Sequence, residues 1–163
     1  MSVRESLDSL IQQAINSHPS RHHSLSLSAA AALAAIAYEV AQEYEVPIVF
    51  SLVDTAGQQR WFFSMDDALL VSHRLATEKA WTAVALRMAT HELAQQVRPG
   101  ASLEGLPQQG ICCLGGGLPC WSQTRLLGGI GISGGSVAQD IAIARESLAR
   151  FSQAHFLLTP SRP

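Results

Sequence analysis

Helical and strand periods alternate along most of the chain. Residues 4 to 16 carry Leu7, Leu10, Ile11, Ala14 and Ile15, a spacing that lays one apolar stripe on a helix. Pro19 and the serines between 17 and 26 break it, because proline cannot continue a helix and serine competes for backbone hydrogen bonds. The clearest helical period runs from 28 to 45 through Leu33, Ile36, Ala37, Val40, Ala41 and Tyr44. Ser26 or Ser28 can cap it, and Pro47 ends it. Residues 47 to 53 then read as a strand, Asp54-Thr55-Ala56-Gly57 as a turn, and 58 to 64 as the returning strand of a hairpin. Asp66 or Asp67 is positioned to cap a long helix reaching about Arg87, and a short helix follows Thr90 up to Arg98-Pro99-Gly100.

Residues 101 to 109 read as loop, Gly110 to Leu114 as a short strand, and Gly115-Gly116-Gly117-Leu118-Pro119 as a glycine-rich turn. Arg125 to Ser133 is a further strand, which Gly134-Gly135, expected at positive φ, turns into a last helix. Ser136 and Gln139 form a capping box at its start. Its apolar face carries Val137, Ile141, Ala144 and Leu148, and it ends near Phe151. Paired strands on tight turns predict an α/β (α+β) domain, with an antiparallel β-sheet flanked by α-helices, and not a doubly wound parallel sheet. The expected organisation is an N-terminal helix and linker over 1–24, a domain over 25–154 and a flexible tail over 155–163.

Composition narrows the function classes. The chain has 163 residues, enough for one domain with one core. Only 15% of residues are charged against 47% hydrophobic, which points to a homo-oligomer that hides surface between copies. The formal net charge is -2 and no Lys/Arg cluster occurs, so no nucleic-acid partner is expected. No apolar run reaches the roughly 18 residues of a membrane helix. The N-terminus shows no signal-peptide core, so the expected location is cytoplasmic. The three cysteines, Cys112, Cys113 and Cys120, lack a Cys-x-x-Cys spacing and read as buried reduced thiols.

Candidate chemistry is sparse. Gly129-Ile130-Gly131-Ile132-Ser133-Gly134 matches the dinucleotide fingerprint, but its first two glycines lie inside a strand and no second strand with an acidic end follows. Small residues there admit a close neighbour instead. The turns around Gly116–Pro119 and Gly134–Gly135 could line one pocket. His18, His22 and His23 form the one histidine cluster, in a segment whose imidazoles could reach a metal or haem iron. His73 falls in a helix, and His91 and His155 have no visible partner. Lys79 and Asp140 are charged residues on otherwise apolar faces, so each is expected to find a partner, either the other or a group at a pocket or subunit interface. No nucleophile elbow, metal-binding His-Glu-x-x-His or catalytic constellation is present, and Asp66-Asp67 reads as a helix-start pair.

Several of these segments together resemble the GlcG/HbpS family, which also occurs as the C-terminal domain of PduO. The resemblance is carried by Val53-Asp54-Thr55-Ala56-Gly57, Met65-Asp66 with Ala68, Lys79-Ala80-Trp81-Thr82-Ala83, Gly116-Gly117-Leu118-Pro119, and above all the run from Gly128 to Asp140. It covers about residues 25 to 152, with Ser64 and Asp67 standing where the family usually has Arg and Gly. The resemblance implies a profilin-like fold, a homo-octamer, and a non-enzymatic role that binds haem or a related tetrapyrrole beside glycolate or cobalamin-dependent diol and glycerol metabolism. The alternative it implies is an oligomeric, chaperone-like accessory subunit of a cobalamin-dependent pathway with no cofactor of its own and an enzyme as partner. His22, His23, Lys79, Gly116, Pro119, Gly134 and Asp140 are the candidate cofactor-binding residues.

Overall fold

The computed structural model describes residues 25–107 and 109–155, together with Ser9, Gln12 and Gln13. The expected helix over 4–16 otherwise lies outside the described residues, as do His18, His22, His23 and the tail beyond His155.

Helix α1 spans Leu27–Glu43, and the Ser26 hydroxyl caps it by accepting from the Ala29 amide at 3.1 Å. Strands β1 (Val49–Val53) and β2 (Gln59–Ser64) form the expected hairpin, with Phe50 opposite Phe63. In its turn, Asp54 Oδ1 accepts from the amides of Ala56 and Gln58 at 2.9 and 3.0 Å, and Gly57 takes a φ of 76°. Helix α2 (Leu70–Leu86) starts later than expected: Leu69 is the N-cap residue, and neither Asp66 nor Asp67 caps it. Asp67 instead turns the chain at a φ of 65°. Helix α3 (Thr90–Gln96) follows.

The third strand is displaced from its expected place. Residues 110–114 are not a strand; β3 runs over Gly117–Ser122, so part of the expected glycine turn is itself strand. Strand choice here follows what can lie against α2 more than local propensity. Strand β4 (Arg125–Ser133) and helix α4 (Val137–His155) complete the chain. The α4 capping box forms, with Ser136 N donating to Gln139 Oε1 at 2.9 Å and Gln139 N donating to Ser136 Oγ at 3.2 Å. Gly134 and Gly135 do not adopt positive φ. They are glycines for space: a Cβ on Gly134 would run into the Pro47 carbonyl oxygen, and one on Gly135 would lie 2.7 Å from Gln139 Oε1.

The four strands form one antiparallel sheet in the order β2-β1-β4-β3. All five residues of β1 are buried because both faces are covered. Ile48, Phe50, Leu52, Ile130 and Ile132 join Leu33, Ala37, Val40, Ile143 and Phe151 in the core shared with α1 and α4. The opposite face is built of Val53, Gly129 and Gly131, and α2 lies on it through Ala76, Ala80 and Val84. The result is a three-layer α/β sandwich with an antiparallel sheet at its centre, as the sequence pattern predicts.

Candidate functional site

Four of the candidate residues meet at one end of the α2–sheet interface. Lys79 lies on the sheet side of α2, and Asp140 lies in the first turn of α4, where a carboxylate also complements the helix dipole. Lys79 Nζ donates to Asp140 Oδ2 at 2.8 Å and to the Ile132 carbonyl at 2.9 Å. Asp140 Oδ1 accepts from the amides of Gly134 and Gly135 at 3.1 and 2.9 Å. Gly116, at a φ of 119°, closes over this pair: a Cβ there would lie 3.0 Å from Lys79 Nζ and from Asp140 Cβ. Lys79 and Asp140 are only 1% and 3% exposed, so their polar atoms are turned toward each other and the backbone. Pro119 sits apart on the edge strand β3, opposite Gly129, where its missing N–H costs no ladder bond on the open side.

A groove of about 480 Å³ opens elsewhere, between α1 and the edge strand β2. Ala31, Ala34 and Ala35 keep its helix wall low, while Trp61 and Phe63 form the strand wall and Tyr38 and Met65 stand at its sides. Phe63 stacks on Phe50 with ring centres 5.3 Å apart, and Tyr38 meets Phe63 edge-on at 6.1 Å. Ser64 lines the groove, and its Oγ is 2.8 Å from Nε2 of His73 on α2; His73 itself, with Phe62 packed edge-on against the imidazole, is not part of the lining. An apolar, aromatic-walled groove of this size suits a flat organic ligand. None of the described candidate residues, Lys79, Gly116, Pro119, Gly134 and Asp140, lines it. The alanines at 29–35 facing a Trp-Phe-Phe strand were the available signal, but only the packing of α1 across β2 brings them together.

The remaining histidines and the thiols are structural in character. His91 Nε2 lies 3.0 Å from Arg145 Nη2, and His155 packs edge-on against Phe151 at 4.4 Å, so both have partners. Burial, reinforced by the Arg145 guanidinium and opposed by Glu92, holds the His91 pKa below its usual value. The cysteines are free, and burial raises all three thiol pKa values, that of Cys120 to about 12. Cys112 and Cys120 are buried, which keeps their thiols away from solvent. No helix among the described residues is long and apolar enough to cross a membrane.

Residues 25–149 match the family described as haem degrading protein HbpS-like. The chain is similar to the corrinoid adenosyltransferase PduO of Citrobacter freundii, at 53% identity over 112 residues, covering 67% of this chain and 33% of that protein. It thus spans about a third of the length of the corrinoid adenosyltransferases it matches. Among solved structures, a PduOC:heme complex is 48% identical, with a TM-score of 0.75 over 77% of this chain and 94% of that one. A double mutant of Streptomyces reticuli HbpS is 30% identical, with a TM-score of 0.72 over 82% of this chain and 91% of that one.

Proposed function

Because the chain belongs to the HbpS-like family, we propose that it is a non-enzymatic haem-binding accessory protein, cytoplasmic and homo-octameric, serving a corrinoid-dependent pathway such as diol or glycerol metabolism. The observation that carries this reading is the 48% identity to a domain crystallised with haem, over nearly all of that domain. The groove between α1 and β2 fits the group: its walls are alanine and aromatic rings, which suit the flat apolar face of a porphyrin. No Lys or Arg lines it, so the porphyrin carboxylates would face solvent.

His22 and His23 precede Leu25, and α1 begins at Leu27, one helical turn before Ala31 in the groove wall. That closeness in sequence is what supports one of these imidazoles as the iron ligand. Bound haem would supply a redox-active iron. The chain's own residues would hold the ring, shield one face from water and present an imidazole. Lys79, Asp140, Gly116 and Gly134 would act by fixing α4 against the sheet, with Pro119 on the neighbouring edge strand, and not by touching the ring.

Haemin titration into the purified chain tests this. Saturable growth of a shifted Soret band is expected, lost in the double variant His22→Ala/His23→Ala. A shift that survives in that variant would move the ligand to another group, with His73, which contacts the groove residue Ser64, the first to test. A Soret band that fades in air with a reductant present would replace binding by haem breakdown. The second reading is an accessory subunit of a cobalamin-dependent enzyme with no cofactor of its own. It is supported by the 53% identity to a corrinoid adenosyltransferase, and it requires no Soret shift together with co-purification of such an enzyme.

A further inference from the structure

At the far end of the sheet from the Lys79–Asp140 pair, the β1–β2 turn, the C-terminal end of α2 and the β3–β4 turn enclose a cleft of about 610 Å³. Trp81 and Trp121 wall it, and Arg87 and Arg125 stand at it with the hydroxyls of Thr55 and Thr124. Trp81 is 44% exposed, a large share for an indole, and its ring edge lies against the β1–β2 turn. Gly57 makes that contact possible, since a Cβ there would sit 2.7 Å from the indole nitrogen.

Arg60, Arg74, Lys79 and Arg150 each have a carboxylate in ion-pair reach, whereas among the described residues Arg87, Arg98, Arg125 and Arg145 have none, and of these Arg87 and Arg125 stand at this cleft. Asp54, the acidic group beneath this turn, is already engaged by the amides of Ala56 and Gln58 and by Arg60. Arg87 is the left-handed C-cap of α2, and Gln123 takes a φ of 54° in the turn between Ser122 and Arg125, so a helix cap and a tight hairpin fix where the two guanidiniums start.

We propose that this cleft binds a planar aromatic carboxylate, with the ring against Trp81 and Trp121 and the carboxylate met by Arg87 and Arg125. Indoles favour stacked flat rings, and a guanidinium fork matches a carboxylate. None of the walling side chains is a His, Cys, Met or Tyr, so the site is independent of iron ligation and distinct from the α1–β2 groove.

The test uses the full chain with two probes, pyrene-1-carboxylate and the neutral 1-pyrenemethanol, read by quenching of tryptophan fluorescence. The expected result is saturable quenching by the carboxylate, with the neutral probe binding about tenfold more weakly. Arg87→Gln/Arg125→Gln should erase that preference, and Trp81→Phe with Trp121→Phe should remove most of the quenching, while Trp61→Phe in the other groove leaves both intact. If the double variant fails to fold, Arg125→Gln alone, on an exposed turn, should still narrow the preference. Equal affinity for the two probes, quenching lost only in Trp61→Phe, or arginine variants that bind like the parent would each overturn the proposal. So would arginine variants that change only the oligomeric mass, which would assign the cleft to an interface between copies.

Discussion

A lysine and an aspartate removed from water must each be matched by a partner, and here they match each other. The Lys79–Asp140 pair joins α2 to α4 across 61 residues of sequence and also holds the Gly134 and Gly135 amides. Removing one member leaves the other as a buried, uncompensated charge. Asp140→Ala should therefore destabilise the domain by about 3–5 kcal/mol, and Lys79→Met added to Asp140→Asn should recover part of the loss. Denaturant melts of the single and double variants measure both.

His91 offers a pH test. Arg145 donates to its Nε2, so the neutral ring carries its proton on Nδ1, which is buried without a partner. Protonation would break the Arg145 contact and charge a half-buried ring. The folded pKa is lowered, so as pH falls the unfolded chain takes up its proton first, near the ordinary value of 6.5. The stability contribution of neutral His91 is complete above that value and is lost as pH falls below it, toward the lower folded value. His91→Gln should flatten the fall in melting temperature between pH 7.5 and 5 relative to the parent; equal slopes would remove His91 from the pH dependence.

At the scale of elements, the glycines of β3 and β4 explain how a helix lies so close to the sheet. A Cβ on Gly131 would run into the Ala76 carbonyl, one on Gly129 would lie 2.9 Å from the Ala80 carbonyl, and one on Gly117 2.5 Å from the Lys79 carbonyl. Ala76 and Ala80 present the matching small face of α2. The segment that imitates a dinucleotide fingerprint is thus a seat for a helix. Gly131→Ala must push α2 off the sheet and should cost about 1–3 kcal/mol or more. Gly135→Ala should cost less, because its obstacle is the movable end of the Gln139 side chain, whereas Gly134 faces the Pro47 backbone. Thermal melts of Gly131→Ala, Gly134→Ala and Gly135→Ala check this, with Gly135→Ala expected to lose the least.

For the whole molecule, the start of α2 leaves Leu69, Leu70 and Val71 exposed by 62%, 84% and 56%. Three consecutive exposed aliphatics on a chain with 15% charged residues are the surface that the proposed homo-oligomer would bury. Light scattering at micromolar concentration should give a multiple of 17.5 kDa, and Leu70→Glu should lower it. A 17.5 kDa species for the parent would refute the oligomer.

Local rules determined much of this protein. The 3.6-residue and two-residue periods placed α1, the β1–β2 hairpin, β4 and α4, because each element carries its own buried face in its own residues. The Ser136–Gln139 box and the Ser26 cap were equally local. The need for partners at Lys79 and Asp140 was legible from the cost of burying charge, with each other as one option, and the packing of α2 against α4 selected that option. The tertiary structure alone decided the remainder. It put a strand at Gly117 because α2 needed a flat seat, made Gly134 and Gly135 small for space and not for φ, and paired His91 with Arg145. It also made the alanine-aromatic groove and the Trp-Arg cleft, whose walls come from segments far apart in sequence. Periodicity encodes which face of an element is buried, but the partner on that face is a long-range choice that only the packed sheet and helices make.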